Sequence, residues 1–134
     1  MKDDVLLAKA ATIKRCIDRI HQVTEGDMDR IDEWDVQDIV ILNLQRAIQA
    51  AIDMAAHVVA IKGLGLPRES RENFVMIQQS EGLDRDLSKR LQSMVGFRNI
   101  AIHDYQRMDI DILKSVVSNH LDDLLKWGSY CLNL

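Results

Sequence analysis

Aromatic side chains are scarce in this chain: two each of Phe, Trp and Tyr among 134 residues. With so few rings the core must be built from Leu, Ile, Val, Ala and Met. That mixture favours helices over a sandwich or barrel. The same scarcity leaves no stacking platform for reading RNA bases. Proline occurs once, and no alternating apolar–polar stretch is long enough to suggest a sheet. Cys16 and Cys131 stand near opposite ends and form no CxxC. They read as two buried free thiols of a reducing cytosol, with a terminal disulfide as the unsupported alternative. The longest apolar stretches carry regular polar interruptions, and none reads as a membrane span. Met1-Lys-Asp-Asp4 lacks the hydrophobic centre and cleavage site of a secretory leader, so a cytoplasmic protein is expected. No repeat or low-complexity linker divides the chain. One domain over residues 1–134 is expected.

What is present supports a folded helical protein. Hydrophobic residues make up 47% and charged residues 28%, enough for a core and inconsistent with disorder. The net charge of -4 argues against wholesale coating of nucleic acid, which needs a broad basic surface. The charge is uneven, however. Between Asp84 and Arg107, the cations Arg85, Lys89, Arg90, Arg98 and Arg107 outnumber Asp84, Asp86 and Asp104. That segment is locally basic in an acidic chain.

Helical periodicity covers most of the sequence. Leu6, Ala10, Ile13, Ile17 and Ile20 predict a first helix from Asp3 to about Gln22, with Gly26 as a left-handed cap. Ile41, Leu44, Ile48, Ala51, Ile52, Ala55, Val58 and Val59 predict a long second helix from near Asp35 to about Ile61. Lys62-Gly-Leu-Gly-Leu-Pro67 stops it. Gly63-Leu-Gly65 follows a helix and carries no Lys-Ser/Thr, so it reads as a cap and not a phosphate loop. Ser70 would cap a third helix carrying Phe74, Val75 and Ile77, ended by Gly82. Asp84 would cap a fourth, to about His103, with Leu87, Leu91, Met94, Val95 and Ile102 inward. Asp109 would cap a fifth, with Ile112, Leu113, Val116, Leu121, Leu124 and Leu125 inward. The expected architecture is all-α, an antiparallel up-and-down bundle of four to five helices with short loops.

The stretch Arg98-Asn-Ile-Ala-Ile-His103-Asp-Tyr105 is the richest in chemistry. Arg holds a phosphate or a developing oxyanion, and His moves protons at cellular pH. The pair suits phosphodiester chemistry without a metal. At about 100° per residue, Arg98 and Tyr105 share a stripe while His103 points away from it. Either the helix bends or ends near His103, or a second subunit completes the site across a two-fold axis. The plainer alternative is a surface Arg, a helix-end His and a half-buried Tyr. On the second helix, Asn43, Arg46, Ala50, Asp53 and His57 form another stripe, and a spacing of four puts Asp53 beside His57. This stripe is a solvent face, a wall of an active groove or a dimer contact. His21 and His120 read as surface residues. His57, His103-Asp104 and Asp122 or Asp123 also satisfy the ligand order of HD phosphohydrolases, an order that arises easily by chance in an Asp-rich chain. No ExxH pair is present, which disfavours a carboxylate-bridged di-iron bundle.

Arg98-x4-His103-x-Tyr105 resembles the signature of the HEPN superfamily, and specifically of its HepT-like toxins. The likeness extends to Leu42-Asn-Leu-Gln-Arg-Ala-Ile-Gln-Ala-Ala-Ile-Asp-Met-Ala55, to Phe74 before the Gly82-Leu break, to Met94-Val-Gly-Phe-Arg-Asn99 and to Asp122-Asp-Leu on the last helix. It covers essentially the whole chain. The resemblance implies a HEPN-like bundle that acts as a metal-independent endoribonuclease, the toxin half of a toxin–antitoxin system. It implies a homodimer that cuts RNA without a cofactor, with Arg98 and His103 catalytic and Asn99, Asp53 and Arg46 in support. It further implies that Tyr105 receives AMP from a partner nucleotidyltransferase of the MntA type. The alternative is a non-catalytic module of the same fold that binds a nucleotide or serves as a partner scaffold.

Overall fold

The structure is a computed structural model that describes residues 3–103, the last by its backbone alone, and residues 108–134. The described elements are α1 (Asp4–Thr24), a 3-10 turn (Met28–Asp32), α2 (Trp34–Lys62), α3 (Ser70–Glu81), α4 (Arg85–His103), α5 (Ile110–Asn119) and α6 (Leu121–Leu132). No strand occurs among the described residues.

Local chemistry sets most of these boundaries. Asp3 Oδ1 accepts from the N–H groups of Val5 at 2.9 Å and Leu6 at 3.1 Å, and Asp84 accepts from Leu87 at 2.9 Å. Asp109 accepts from Asp111 at 2.9 Å. Each satisfies donors that the first helical turn leaves without a partner. Ser70 does not play this part, because it is already the first residue of α3. There the Arg68 N–H donates to the Glu72 carboxylate. Gly63 and Gly82 end α2 and α3 in the left-handed region. After α1 that conformation begins one residue earlier than expected, on Glu25 with φ 53°, and Gly26 continues it.

α2 organises the packing, touching α1, α3, α4, α6 and the 3-10 turn. Leu44, Ile48, Met54, Ala55 and Val58 on it are buried. It is long and apolar enough to cross a membrane by length and composition alone, 29 residues with an 18-residue stretch at a mean hydropathy of 1.2. Over half of that stretch, 56%, is buried inside the bundle, which is the setting of a core helix. Its register against α1 is antiparallel. His57 meets Asp3, Asp53 meets Lys9, and Arg46 lies in the electrostatic field of Cys16. Residue numbers rise along α1 as they fall along α2.

The expected fifth helix is two. It breaks at His120 (φ -122°, ψ -2°) between α5 and α6. Leu113, Val117, Leu121 and Leu124 are all buried, at steps of four, four and three. The apolar rhythm therefore passes through the break unchanged. Ile112 and Ile102, both expected inward, are 53% and 47% exposed; Ala101 is buried in place of Ile102.

Phe74, Trp127 and Tyr130 meet at the core, whereas Trp34 is 83% exposed. Trp127 is fully buried, packs edge-on to Phe74 at 5.2 Å and stacks with Tyr130 at 5.7 Å. Its Nε1–H donates to the Ala51 carbonyl at 3.1 Å, and the Tyr130 hydroxyl donates to the Glu81 carbonyl at 2.6 Å. This joins α6 to α2 and α3. Cys16 and Cys131 are buried free thiols, and burial pushes both above the ordinary thiol range. Trp127→Ala should lower the unfolding free energy by about 3–5 kcal/mol, the usual cost of emptying a large core site, as read from urea denaturation.

Candidate active site

Arg98 lies on α4 where that helix crosses α2. It is half-buried, and its guanidinium is held by two neutral amides. Nη1 donates to Asn99 Oδ1 at 2.8 Å, and Nη2 donates to Gln49 Oε1 on α2. Its Nε–H is buried without an acceptor among the described residues. Such a donor is costly and is tolerated mostly at functional positions.

Gln49 is fixed from its other end. Its Nε2 donates to Asp53 Oδ1 at 2.8 Å, and Asp53 Oδ2 accepts from Lys9 Nζ at 2.9 Å. The order is dictated by chemistry. Arg98 offers only donors and needs an oxygen; the Asp53 carboxylate offers only acceptors and needs an N–H. A primary amide supplies one of each. The relay therefore fixes Arg98 without neutralising it, because the one carboxylate in the chain of contacts is already paired with Lys9. The cation at Arg98 remains available to an anionic ligand.

The residues expected at the site divide. Arg98, Asn99 and Asp53 share this network, although Asp53 acts through Gln49. Arg46 is exposed, and no described contact ties it to Arg98. α4 is described as far as His103, five residues and about 7.5 Å of helix beyond Arg98. The His103 side chain and Tyr105 lie outside the described residues. Gln49 was missed by the sequence reading, since nothing about an isolated Gln on a mostly apolar helix marks it.

The polar stripe of α2 is largely a seam with α1. Asp53 does not pair with His57; His57 Nε2 lies 2.7 Å from Asp3 Oδ2. Asp3 therefore caps α1 with one oxygen and holds α2 with the other. The His57 hydrogen bond, followed by that from the Leu6 N–H, holds the Asp3 carboxyl below its ordinary range.

Of the ligand order of an HD hydrolase, the His103 side chain and Asp104 lie outside the described residues, and His57 is engaged by Asp3. Asp123 is buried between Arg90 Nε and His120 Nδ1, each at 3.1 Å, and Asp122 pairs with Lys126 at 3.3 Å. No group of three or more His, Cys, Asp or Glu side chains converges among the described residues. His120, expected as a plain surface residue, instead orders the α5–α6 junction through Asp123.

Comparison with known proteins agrees with this architecture. The ribonuclease HepT-like family profile matches residues 13–127. The mRNA nuclease HepT of Shewanella oneidensis is 46% identical over 121 residues, which cover 90% of this chain and 91% of that protein. A solved structure of a tri-AMPylated Shewanella oneidensis HEPN toxin in complex with MNT antitoxin has a TM-score of 0.89 at 44% identity, covering 96% of each chain. A toxin–antitoxin structure with AMP-PNP has a TM-score of 0.90 at 43% identity, covering 96% of this chain and 97% of that one.

Two outcomes follow from the geometry. Gln49→Leu frees Arg98 and should lower kcat/KM for RNA cleavage by about tenfold to a hundredfold. Gln49→Glu keeps Arg98 in place but neutralises it, and should be the more damaging of the two in the same assay. The Asp3–His57 contact should carry a pH signature. A depressed Asp3 pKa contributes stability above the ordinary carboxylate range, and that contribution is lost as pH falls through the lowered value. Thermal melts taken into acid should fall more steeply for the unmodified protein than for Asp3→Ala.

Proposed function

The chain belongs to the ribonuclease HepT-like family and is an RNA-cutting enzyme of the toxin–antitoxin type, and we propose that Arg98 and His103 make the cut and Tyr105 controls it. One observation carries this reading. Among the described residues, Arg98 is a half-buried cation held by amide oxygens, with no carboxylate to compete with an RNA phosphate. A guanidinium in this setting offers its charge and its planar fork to non-bridging phosphate oxygens.

His103 follows one turn and a half later on the same helix. Its ordinary pKa, about 6.5, suits proton transfer at neutral pH. The RNA 2′-OH gives its proton to one His103, and its oxygen attacks the adjacent phosphorus. The bond from phosphorus to the 5′-oxygen breaks, and that oxygen takes a proton from His103 of a second copy across a two-fold axis. The products are a 2′,3′-cyclic phosphate and a free 5′-hydroxyl. Arg98 stabilises the charge that grows on the phosphoryl oxygens, so no metal is required. Messenger RNA is the substrate class, a reading supported by the name of the Shewanella relative. The homodimer is part of this proposal, because two motif copies supply the base and the acid together.

Tyr105 lies two residues beyond His103. Transfer of AMP from ATP to its hydroxyl by a partner MNT-type nucleotidyltransferase releases pyrophosphate. The added phosphate would occupy the cationic pocket that RNA needs. The AMPylated, antitoxin-bound toxin among the solved relatives supports this reading.

Arg98→Ala and His103→Ala should each reduce RNA cleavage by at least about a hundredfold while leaving the helical circular dichroism unchanged. A 2′-deoxy sugar at the cleaved position should stop the reaction, and EDTA should not. Equal RNA decay by His103→Ala and the unmodified protein would sink the mechanism. Co-expressed with the nucleotidyltransferase, Tyr105→Phe should gain no adenylate by intact mass and should remain an active nuclease.

A further inference from the structure

Gly96 lies inside α4, where glycine is the poorest helix former after proline. A Cβ built there would stand 2.7 Å from Arg71 Nη2 and 3.6 Å from Arg71 Cζ. The Arg71 guanidinium, reaching across from the first turn of α3, therefore rests on the backbone of α4 itself. Arg71 is exposed, and no described residue accepts a hydrogen bond from it or pairs with it. Its charge is uncommitted, like that of Arg98.

The register gives this position its meaning. Asn99 and His103 follow Gly96 by three and seven residues, so the three positions share one helical stripe. Asn99 is also the residue that holds Arg98 Nη1. Arg71 thus sits about 10 Å of helix upstream of His103 on the same stripe, whereas Arg98 springs from another face of α4 and reaches this stripe through its hydrogen bond to Asn99. The scarcity of aromatics leaves backbone charge as the main handle on a strand.

We propose that Arg71, seated on Gly96, binds an RNA backbone phosphate next to the one that is cut, so that the substrate strand runs along α4 from Arg71 to His103. This deepens the RNA-cutting reading and rests on it. The absent side chain at residue 96 is what allows the guanidinium to lie low against α4, on the stripe that leads to His103. In this role Arg71 binds without choosing among bases.

The test uses the full chain and a short single-stranded RNA with a 2′-deoxy sugar at the cleaved position, followed by fluorescence anisotropy over a range of salt. Arg71→Ala should weaken binding about tenfold, the effect of one lost charge-assisted contact. It should also flatten the slope of log K against log salt by about 0.7, the share of one phosphate on a single strand. Arg71→Lys should keep the slope. Gly96→Ala moves only the far end of a flexible side chain, so the protein should fold with an equal or higher Tm yet bind as weakly as Arg71→Ala. The double variant should be no worse than either alone. Unchanged affinity and slope in Arg71→Ala would overturn the seat, and wild-type binding by Gly96→Ala would overturn the part given to Gly96. Cleavage of the all-ribose RNA by the unmodified protein is measured beside it. Binding without any cleavage would end the nuclease reading while leaving the Arg71 result intact.

Discussion

Every described element except α5 packs directly on α2. A helix that must bury itself against four others has little room for polar side chains that lack partners. Three of the polar side chains it carries are answered from other elements. Gln49 meets Arg98, Asp53 meets Lys9, and His57 meets Asp3. These contacts set the antiparallel register against α1 and the orientation of the cation on α4 together. A shift of α2 by one turn would expose apolar surface, break the α1 seam and swing Arg98 out of line.

Two arginines on α4 show how the protein uses charge. Arg90 approaches Asp123, a carboxylate only 5% exposed, and its charge is consumed in keeping that group tolerable inside the bundle. Arg98 is positioned just as firmly but by uncharged oxygens. The difference between a structural and a ligand-seeking arginine lies in the partner, amide or carboxylate, and not in the depth of burial.

Much of this was legible in the sequence. Periodicity and capping residues located the first four helices within a few residues, because Asp3, Asp84, Gly63 and Gly82 act through local backbone geometry. The break at His120 was hidden because Leu113, Val117, Leu121 and Leu124 keep the same spacing on both sides of it. Ile102 and Ile112 were misplaced because periodicity reports a face without reporting what covers it. Arg46 and Asp53 are seven residues apart and share a stripe, yet only Asp53 reaches the site network. Both face α1, and Asp53 joins the network only because Gln49, one turn before it, bridges to Arg98 on α4. Gln49 and Arg71 were invisible for the same reason: each acquires its role from a helix far away in the chain.

The two thiols described above have a chemical corollary. Both are buried, and the Cys131 thiolate in particular is suppressed by its apolar surroundings. Oxidants and alkylating agents act on exposed thiolate, so the native fold is redox-silent at both positions. Each becomes reactive only when its own helix leaves the bundle. Cys16 lies on α1 and Cys131 near the end of α6, two helices that pack on each other, so reaction at either thiol times the opening of that pair.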